Sequence, residues 1–282
     1  MIPVGLNLTS IGVSSAWWRE SAREAEKAGF KGVWCWDHFV SRGHKADPVL
    51  ECWTTLTAAA AATSRLHVGS FVNNVMNRHP QVLARMLATI SEQSGGRVEL
   101  GIGVGGYDAE MHAYGIHFPP PAERVAVLEE AVAVLRALWS GGPVDYEGRF
   151  FRLKQAYAHP APDPPPRIIV GGEKPGGARL AARVGDGWTT NGPDYERLLP
   201  IHLAELAAHG RSRANMVHLV AVDLSRDDPL DRQPMVADMA AFAAEWQERG
   251  ADELIVNWVR PAELPALLEA AARAGLANHA SG

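Results

Sequence analysis

Short apolar runs alternate with amphipathic segments along the whole chain, and the alternation recurs eight times. Val4 to Leu8 reads as the first strand and Ser15 to Ala28 as its helix, stopped by Gly29, because a glycine just past the last periodic residue ends helices. Gly32 to Trp36 with a helix from about Pro48 to Ala62 makes the second unit. Leu66 to Val72 with a helix from Pro80 to Gln93, proline in its first turn, makes the third. Val98 to Ile102 is the fourth strand, and its helix carries Val125, Leu128, Val132, Leu135 and Leu138 at spacings of three and four. The later units pair Ile168–Val170 with Gly177–Val184, Gly187–Thr190 with Tyr195–His209, Val217–Val222 with Met235–Arg249, and Leu254–Asn257 with Ala262–Ala274. Helical crossovers make consecutive strands parallel, and eight such units close a barrel. The expected fold is α/β, a (β/α)8 TIM barrel occupying residues 1–282 as a single domain.

One segment breaks the rhythm. Ser140 to Arg167 holds Gly141-Gly142-Pro143, a hairpin pattern from Val144 to Leu153 turning at Glu147-Gly148, and five prolines between Pro160 and Pro166. Residues 140–167 are therefore expected as an insertion between helix 4 and strand 5. Connections that precede a strand lie away from the active face of a barrel, so the insertion is assigned a structural or dimer-related role.

Composition narrows the class further. A chain of 282 residues, 47% of them hydrophobic, can bury one large core, and such a barrel commonly needs about 250. The net charge of −5 provides no basic face for nucleic acid. Cys35 and Cys52 lack metal-type spacing, the apolar run around Ala58 to Ala62 is too short to cross a bilayer, and Met1-Ile2-Pro3 leads into a strand without a charged leader. The expectation is a soluble, cytoplasmic protein that acts on small molecules, without metal, nucleic acid or membrane.

The stretch from Gly95 to Leu153 localises the chemistry. The run Arg97-Val98-Glu99-Leu100-Gly101-Ile102-Gly103-Val104-Gly105 is a buried strand whose end opens into a tight, backbone-exposing glycine loop. Ligands bind at that end in α/β barrels, which makes Gly103, Val104 and Gly105 candidate binding residues. A second loop, Gly171-Gly172-Glu173-Lys174-Pro175-Gly176-Gly177, leads from a strand into a helix. Helix-start N–H groups form an anion site that glycines let a phosphate approach, so Gly171, Gly172, Lys174, Gly176 and Gly177 are candidates too, although turns also use glycine for conformation alone. Trp17, Trp36, Trp188 and Trp258 fall near strand ends, where some serve the core and some wall an apolar pocket.

The Arg97–Gly105 block, the element Tyr114-Gly115-x-x-Phe118-Pro119, the Glu123-Arg124 pair, Tyr146-Glu147-Gly148, and the later blocks Ile169-Val170-Gly171-Gly172 and Ala181-Ala182-Arg183-Val184-Gly185-Asp186-Gly187-Trp188 together resemble the luciferase-like monooxygenase family over nearly the whole chain. The resemblance implies that the Asp37-His38 pair after strand two lies beside the reactive ring of a flavin or deazaflavin. There His38 would exchange the proton that accompanies hydride movement and Asp37 would orient it, imidazole being able to play either part near neutrality. It also implies a bulge with a non-proline cis peptide joining Phe71 to Val72, with Val72 against the ring. Two adjacent amides at the end of a buried strand need partners; a ring edge would supply them for Asn73 and Asn74, although a simple turn toward Pro80 accounts for Asn74 as well.

Members of the family use either FMN with oxygen or coenzyme F420, a deazaflavin. The Asp37-His38 pair and the pattern around strands three and four are closer to the deazaflavin branch. The expected activity is hydride transfer between coenzyme F420 and a small organic substrate by a homodimer. An FMN-dependent monooxygenase is the alternative, and a barrel that binds ligand without catalysis is the third reading.

Overall fold

The computed structural model describes residues 1–279, so the last three residues of the expected domain lie outside the described part. Eight parallel strands close a barrel in the order β1, β10, β9, β8, β7, β4, β3, β2. They are β1 (Val4–Leu8), β2 (Gly32–Cys35), β3 (His67–Asn74), β4 (Val98–Gly103), β7 (Arg167–Gly171), β8 (Gly187–Asn191), β9 (Val217–Asp223) and β10 (Glu253–Val259). The crossovers are α1 (Ser15–Ala28), α2 (Cys52–Ala62), α3 (Pro80–Ser94), α4 (Asp108–Ala113) with α5 (Pro121–Leu138), α6 (Pro175–Val184), α7 (Gly192–Ala208), α8 (Pro234–Ala237) with α9 (Met239–Glu248), and α10 (Leu264–Arg273). No helix of the described residues is long and apolar enough to cross a membrane.

The barrel interior is built around one tryptophan. Trp34 points inward from β2, is 2% exposed, and packs with Leu219, Ile255 and Phe71. Its indole fits because three neighbouring inward positions carry no side chain: a Cβ on Gly5, Gly32 or Gly69 would come within 2.2, 2.8 and 2.5 Å of the ring. Below it, Glu99 and Glu253 meet Lys31 and Arg167 across the bottom of the barrel, with Lys31 Nζ 3.0 Å from Glu99 and Arg167 3.1 Å from Glu253. Burial alone would raise the Glu99 carboxyl, but Lys31 and Arg167 outweigh it and hold the group well below the usual carboxylate range.

Several boundaries differ from the sequence expectation for local reasons. The second helix starts at Cys52, not Pro48, because the Glu51 carboxylate caps it by accepting from Thr54 N, while Val49 pairs with Ile11. The fourth crossover contains the extra helix α4. The expected helix from Met235 to Arg249 is broken at Asp238, whose carboxylate caps α9 by accepting from Ala241 N. The hairpin β5 (Val144–Glu147) and β6 (Arg152–Ala156) lies between α5 and β7. Its tip does not stay on the far face: the Glu130 carboxylate of α5 accepts the N–H groups of Phe150 and Phe151, and Phe151 packs on His79 at the start of α3. The tip thus climbs the barrel flank because α5 supplies an acceptor for its turn.

Under α7, Trp188 points outward and stacks between Tyr195 and His202 at 5.5 and 4.7 Å. It is a core residue, not part of the mouth. Tyr195 donates to Gly250 O, so it accepts from His218 Nδ1, and the Nε2 of His218 is a buried acceptor without a partner. Burial pushes His218 down to about 3, helped by Arg213, and lowers His202 as well.

Two outcomes follow from this packing. A histidine held neutral by the fold stabilises above the unfolded pKa near 6.5 and loses that contribution as pH falls toward the folded value, with a slope of about 1.4 kcal/mol per pH unit. Urea denaturation at pH 7.5 and 4.5 should therefore show stability falling by roughly 3 kcal/mol from His218 alone, and His218→Gln should flatten the slope; an equal slope in the variant would remove His218 from the account. Gly69→Ala should cost about 1–3 kcal/mol by overpacking against Trp34, read as a lowered melting temperature; an unchanged one would show that the indole has room to slide.

Candidate functional site

Just past β2, two neighbouring side chains take different partners, Asp37 turning to Arg78 and His38 to Glu110. Asp37 is 3% exposed and points away from the mouth. Arg78 grips both its oxygens, Nη1 to Oδ2 at 2.7 Å and Nη2 to Oδ1 at 2.9 Å, and Oδ2 also accepts from Asn74 N and Asn77 Nδ2. Burial opposes the Arg78 charge, but Asp37 outweighs it and raises the group further above its ordinary value. Asp37 is therefore saturated by Arg78 and does not orient His38.

His38 is held instead by Glu110, a 2% exposed residue of α4. Glu110 Oε2 lies 2.8 Å from His38 Nδ1, while Oε1 accepts from Phe39 N at 2.6 Å and Val40 N at 3.0 Å. These hydrogen bonds overcome the effect of burial and keep the Glu110 carboxyl below its usual range. Arg42 Nη2 is 3.2 Å from His38 Nε2. A guanidinium only donates, so Nε2 holds the lone pair, and Nδ1 carries the hydrogen given to Glu110. Trp36 flanks the imidazole at 4.4 Å and meets Trp258 edge-on at 4.3 Å; Tyr107 lies 6.2 Å away on another side. Trp258 reaches Trp36 from a β10 irregularity where its φ is +58°. Trp17 is half-buried on α1.

The Phe71–Val72 peptide is cis, and β3 carries one extra residue against β4 between Ser70 and Asn73. The bulge turns Val72 inward over Gly101, Gly103 and Gly171, where a Cβ would lie 3.2, 2.9 and 3.1 Å from its methyl groups. It turns Asn73 outward. Asn73 is fully buried, accepts from Trp53 Nε1 and Arg78, and donates to Asn74 O. The expected approach of its amide to a ring edge is not what this geometry offers. Asn74 is 8% exposed, donates to Asn77 Oδ1 and accepts from Met76 N. A Cβ on Gly105, at φ +74°, would strike its amide at 2.6 Å, so the Gly103-Val104-Gly105 loop and Asn74 pack together at the rim.

Across the mouth, β7 leads into α6. Gly172 and Gly177 approach so closely that a Cβ on either would lie 2.6 Å from the other backbone. The α6 start has no side-chain cap, space is open beside Gly176, and Lys174 is exposed at the cap position. Thr189 Oγ1 near Gly171 and Asn7 Oδ1 on β1 are buried without partners. Asn7 donates to Asn257, which donates to Asp223 at the edge of a cavity of about 240 Å³ between the ends of β9 and β10.

Glu110, Arg78 and Arg42 were not read from the sequence as site residues. Glu110 stands in the first turn of α4, four residues past Gly106, and Arg42 four residues after His38, whereas Arg78 is a long-range partner.

The luciferase-like monooxygenase family model matches residues 10–277. An F420-dependent glucose-6-phosphate dehydrogenase of Microbacterium testaceum is 32% identical over 78% of this chain and 68% of its own length. A homologous enzyme of Kineococcus radiotolerans is 35% identical over 73% of this chain, and the match spans 63% of that relative, under two thirds. An F420-dependent hydroxymycolic acid dehydrogenase of Mycobacterium tuberculosis is 35% identical over 67% of this chain and 53% of its own length. Among solved structures, an F420-dependent secondary alcohol dehydrogenase in complex with an F420-acetone adduct superposes with a TM-score of 0.83 at 22% identity, over 95% of this chain and 98% of that one. The fold, the match over residues 10–277 and these relatives agree that this chain belongs to the luciferase-like monooxygenase family.

Proposed function

We propose that the chain is a coenzyme F420-dependent oxidoreductase that transfers a hydride between the coenzyme and a small organic substrate. The observation that carries this reading is the tautomer of His38: at the barrel mouth Nδ1–H donates to Glu110, and Nε2 keeps its lone pair, turned to the exposed Arg42 guanidinium. A base so placed takes a hydroxyl proton when a carbinol loses hydride, and returns it when a carbonyl is reduced. Glu110 then pairs with the imidazolium that forms. The relatives of 30% identity or more named above favour F420 over FMN.

The residues fit a deazaflavin. Val72 stands inward over a floor of glycines, Gly103 to Gly105 expose backbone at the rim, and the uncapped α6 start with Gly171, Gly172, Lys174, Gly176 and Gly177 suits a phosphate. When bound, the coenzyme supplies a ring carbon that carries two electrons as hydride. Asn73 acts from behind the wall by fixing Trp53 and Arg78, and Asp37 holds the end of β2 on which His38 stands. A cytoplasmic homodimer completes the proposal and rests on composition and family resemblance.

His38→Ala should keep the fold and coenzyme binding while turnover falls by about 10² to 10⁴; turnover within a few-fold of the parent would remove the catalytic role. Lys174→Glu places a negative charge at the α6 start, where the terminus offers only about half a positive charge. The coenzyme dissociation constant, titrated by fluorescence, should rise roughly tenfold; an unchanged value would move the phosphate to another loop.

A further inference from the structure

Arg42 is an exposed cation at the barrel mouth. Among the described residues it makes no ion pair: its guanidinium lies 5.3 Å over the Tyr107 ring and 3.2 Å from His38 Nε2. The nearby carboxylate of Glu110 is occupied by His38, Phe39 N and Val40 N. The mouth thus presents the His38 lone pair and the Arg42 guanidinium within one hydrogen-bond length, paired with each other rather than with an O–H and an anion.

We propose that the substrate is a 2-hydroxy carboxylate, or the 2-oxo carboxylate in the reverse direction, with Arg42 as the residue that recognises its carboxylate. The proposal rests on the hydride-transfer reading given above. A molecule whose anionic group is bonded to the reacting carbon offers both groups a partner at close range. Such a substrate separates Arg42 from His38 by replacing their single hydrogen bond with two, hydroxyl to Nε2 and carboxylate to the guanidinium. The guanidinium fork matches a carboxylate in two-point fashion. Trp36 and Trp258 then flank the substituent on the carbinol carbon, which favours apolar side chains.

Charge balance points the same way. In the oxidation, the hydroxyl proton passes to His38 Nε2, the carbinol hydrogen leaves with its electron pair to the coenzyme, and the C–O bond becomes a carbonyl. The imidazolium so formed and the Arg42 guanidinium are like charges at close range. A substrate carboxylate on Arg42 neutralises the repulsion, whereas a neutral alcohol leaves it in place.

The test compares lactate, 2-hydroxybutanoate and mandelate with their amides as substrates of the F420-loaded enzyme. In the parent, kcat/KM should favour the acids by about a hundredfold. Arg42→Gln should bring the acid-to-amide ratio toward one, and Arg42→Lys, which keeps the charge but loses the fork, should give an intermediate ratio. Equal use of acids and amides by the parent, or an unchanged ratio in Arg42→Gln, would overturn the assignment. Two titrations separate this from the hydride-transfer reading: coenzyme binding by F420 fluorescence, and oxamate binding by tryptophan fluorescence. Oxamate binding that depends on Arg42 without any F420 binding would sink the coenzyme reading and support the carboxylate site. F420 binding with no Arg42-dependent oxamate binding would sink the carboxylate site alone.

Discussion

The paired grip of Arg78 on Asp37 is the interaction on which the mouth depends. A carboxylate taken out of water is costly unless its lone pairs are filled and its charge is met, and here four donors do so. The same guanidinium also bonds Glu51, which caps α2, and Asn73, which holds Trp53. One cation thereby fixes the end of β2, the start of α2 and the bulged end of β3. Removing either partner would strand a buried charge, so this corner is rigid, and a rigid corner is what a reactive side chain on the next residue requires.

That arrangement explains why Asp37-His38 misleads when taken as a dyad. The two residues follow the end of β2 and send their side chains to different partners, Arg78 and Glu110, so adjacency in sequence does not make them a dyad. The orienting carboxylate comes from Glu110, 72 positions later in the chain. The eight strand–helix units, by contrast, were legible because each is encoded by local hydrophobic period and stop signals. The glycine loops were legible for the same reason. Side-chain partners such as Arg78 and Glu110 were not, because a polar residue carries no local mark of a partner 41 or 72 positions away. The break at Asp238 shows the limit within a single element: apolar period continues across it, while an aspartate that prefers capping to helix interior divides the segment.

The barrel uses its two halves differently. The lower half is filled by the Trp34 indole and closed by the Glu99, Glu253, Lys31 and Arg167 cluster, which leaves nothing for a ligand. In the upper half, apart from Val72 on its bulge, inward positions are glycine, alanine or small polar residues: Gly103, Gly171, Thr189, Ala221 and Asn257. Small residues at one level of a barrel make room only if another level supplies the packing, so the bulk of Trp34 and the openness of the mouth are two sides of one distribution of volume.

The polar residues of that upper layer have a fixed sense. Asp223 can only accept, so Asn257 must turn its amide nitrogen toward it and its oxygen toward Asn7, and Asn7 must then donate to Asn257 and leave its own oxygen without a partner. The His38 line obeys the same logic in the other direction: Arg42 can only donate, which fixes the imidazole tautomer, and the carboxylate of Glu110 receives the hydrogen that remains. In both lines an ion that cannot change its role sets the orientation of a neutral group that can. The fold delivers the ends of these lines to one mouth, and the chemistry there is decided by which end groups are charged, since the neutral members between them have no choice of direction left.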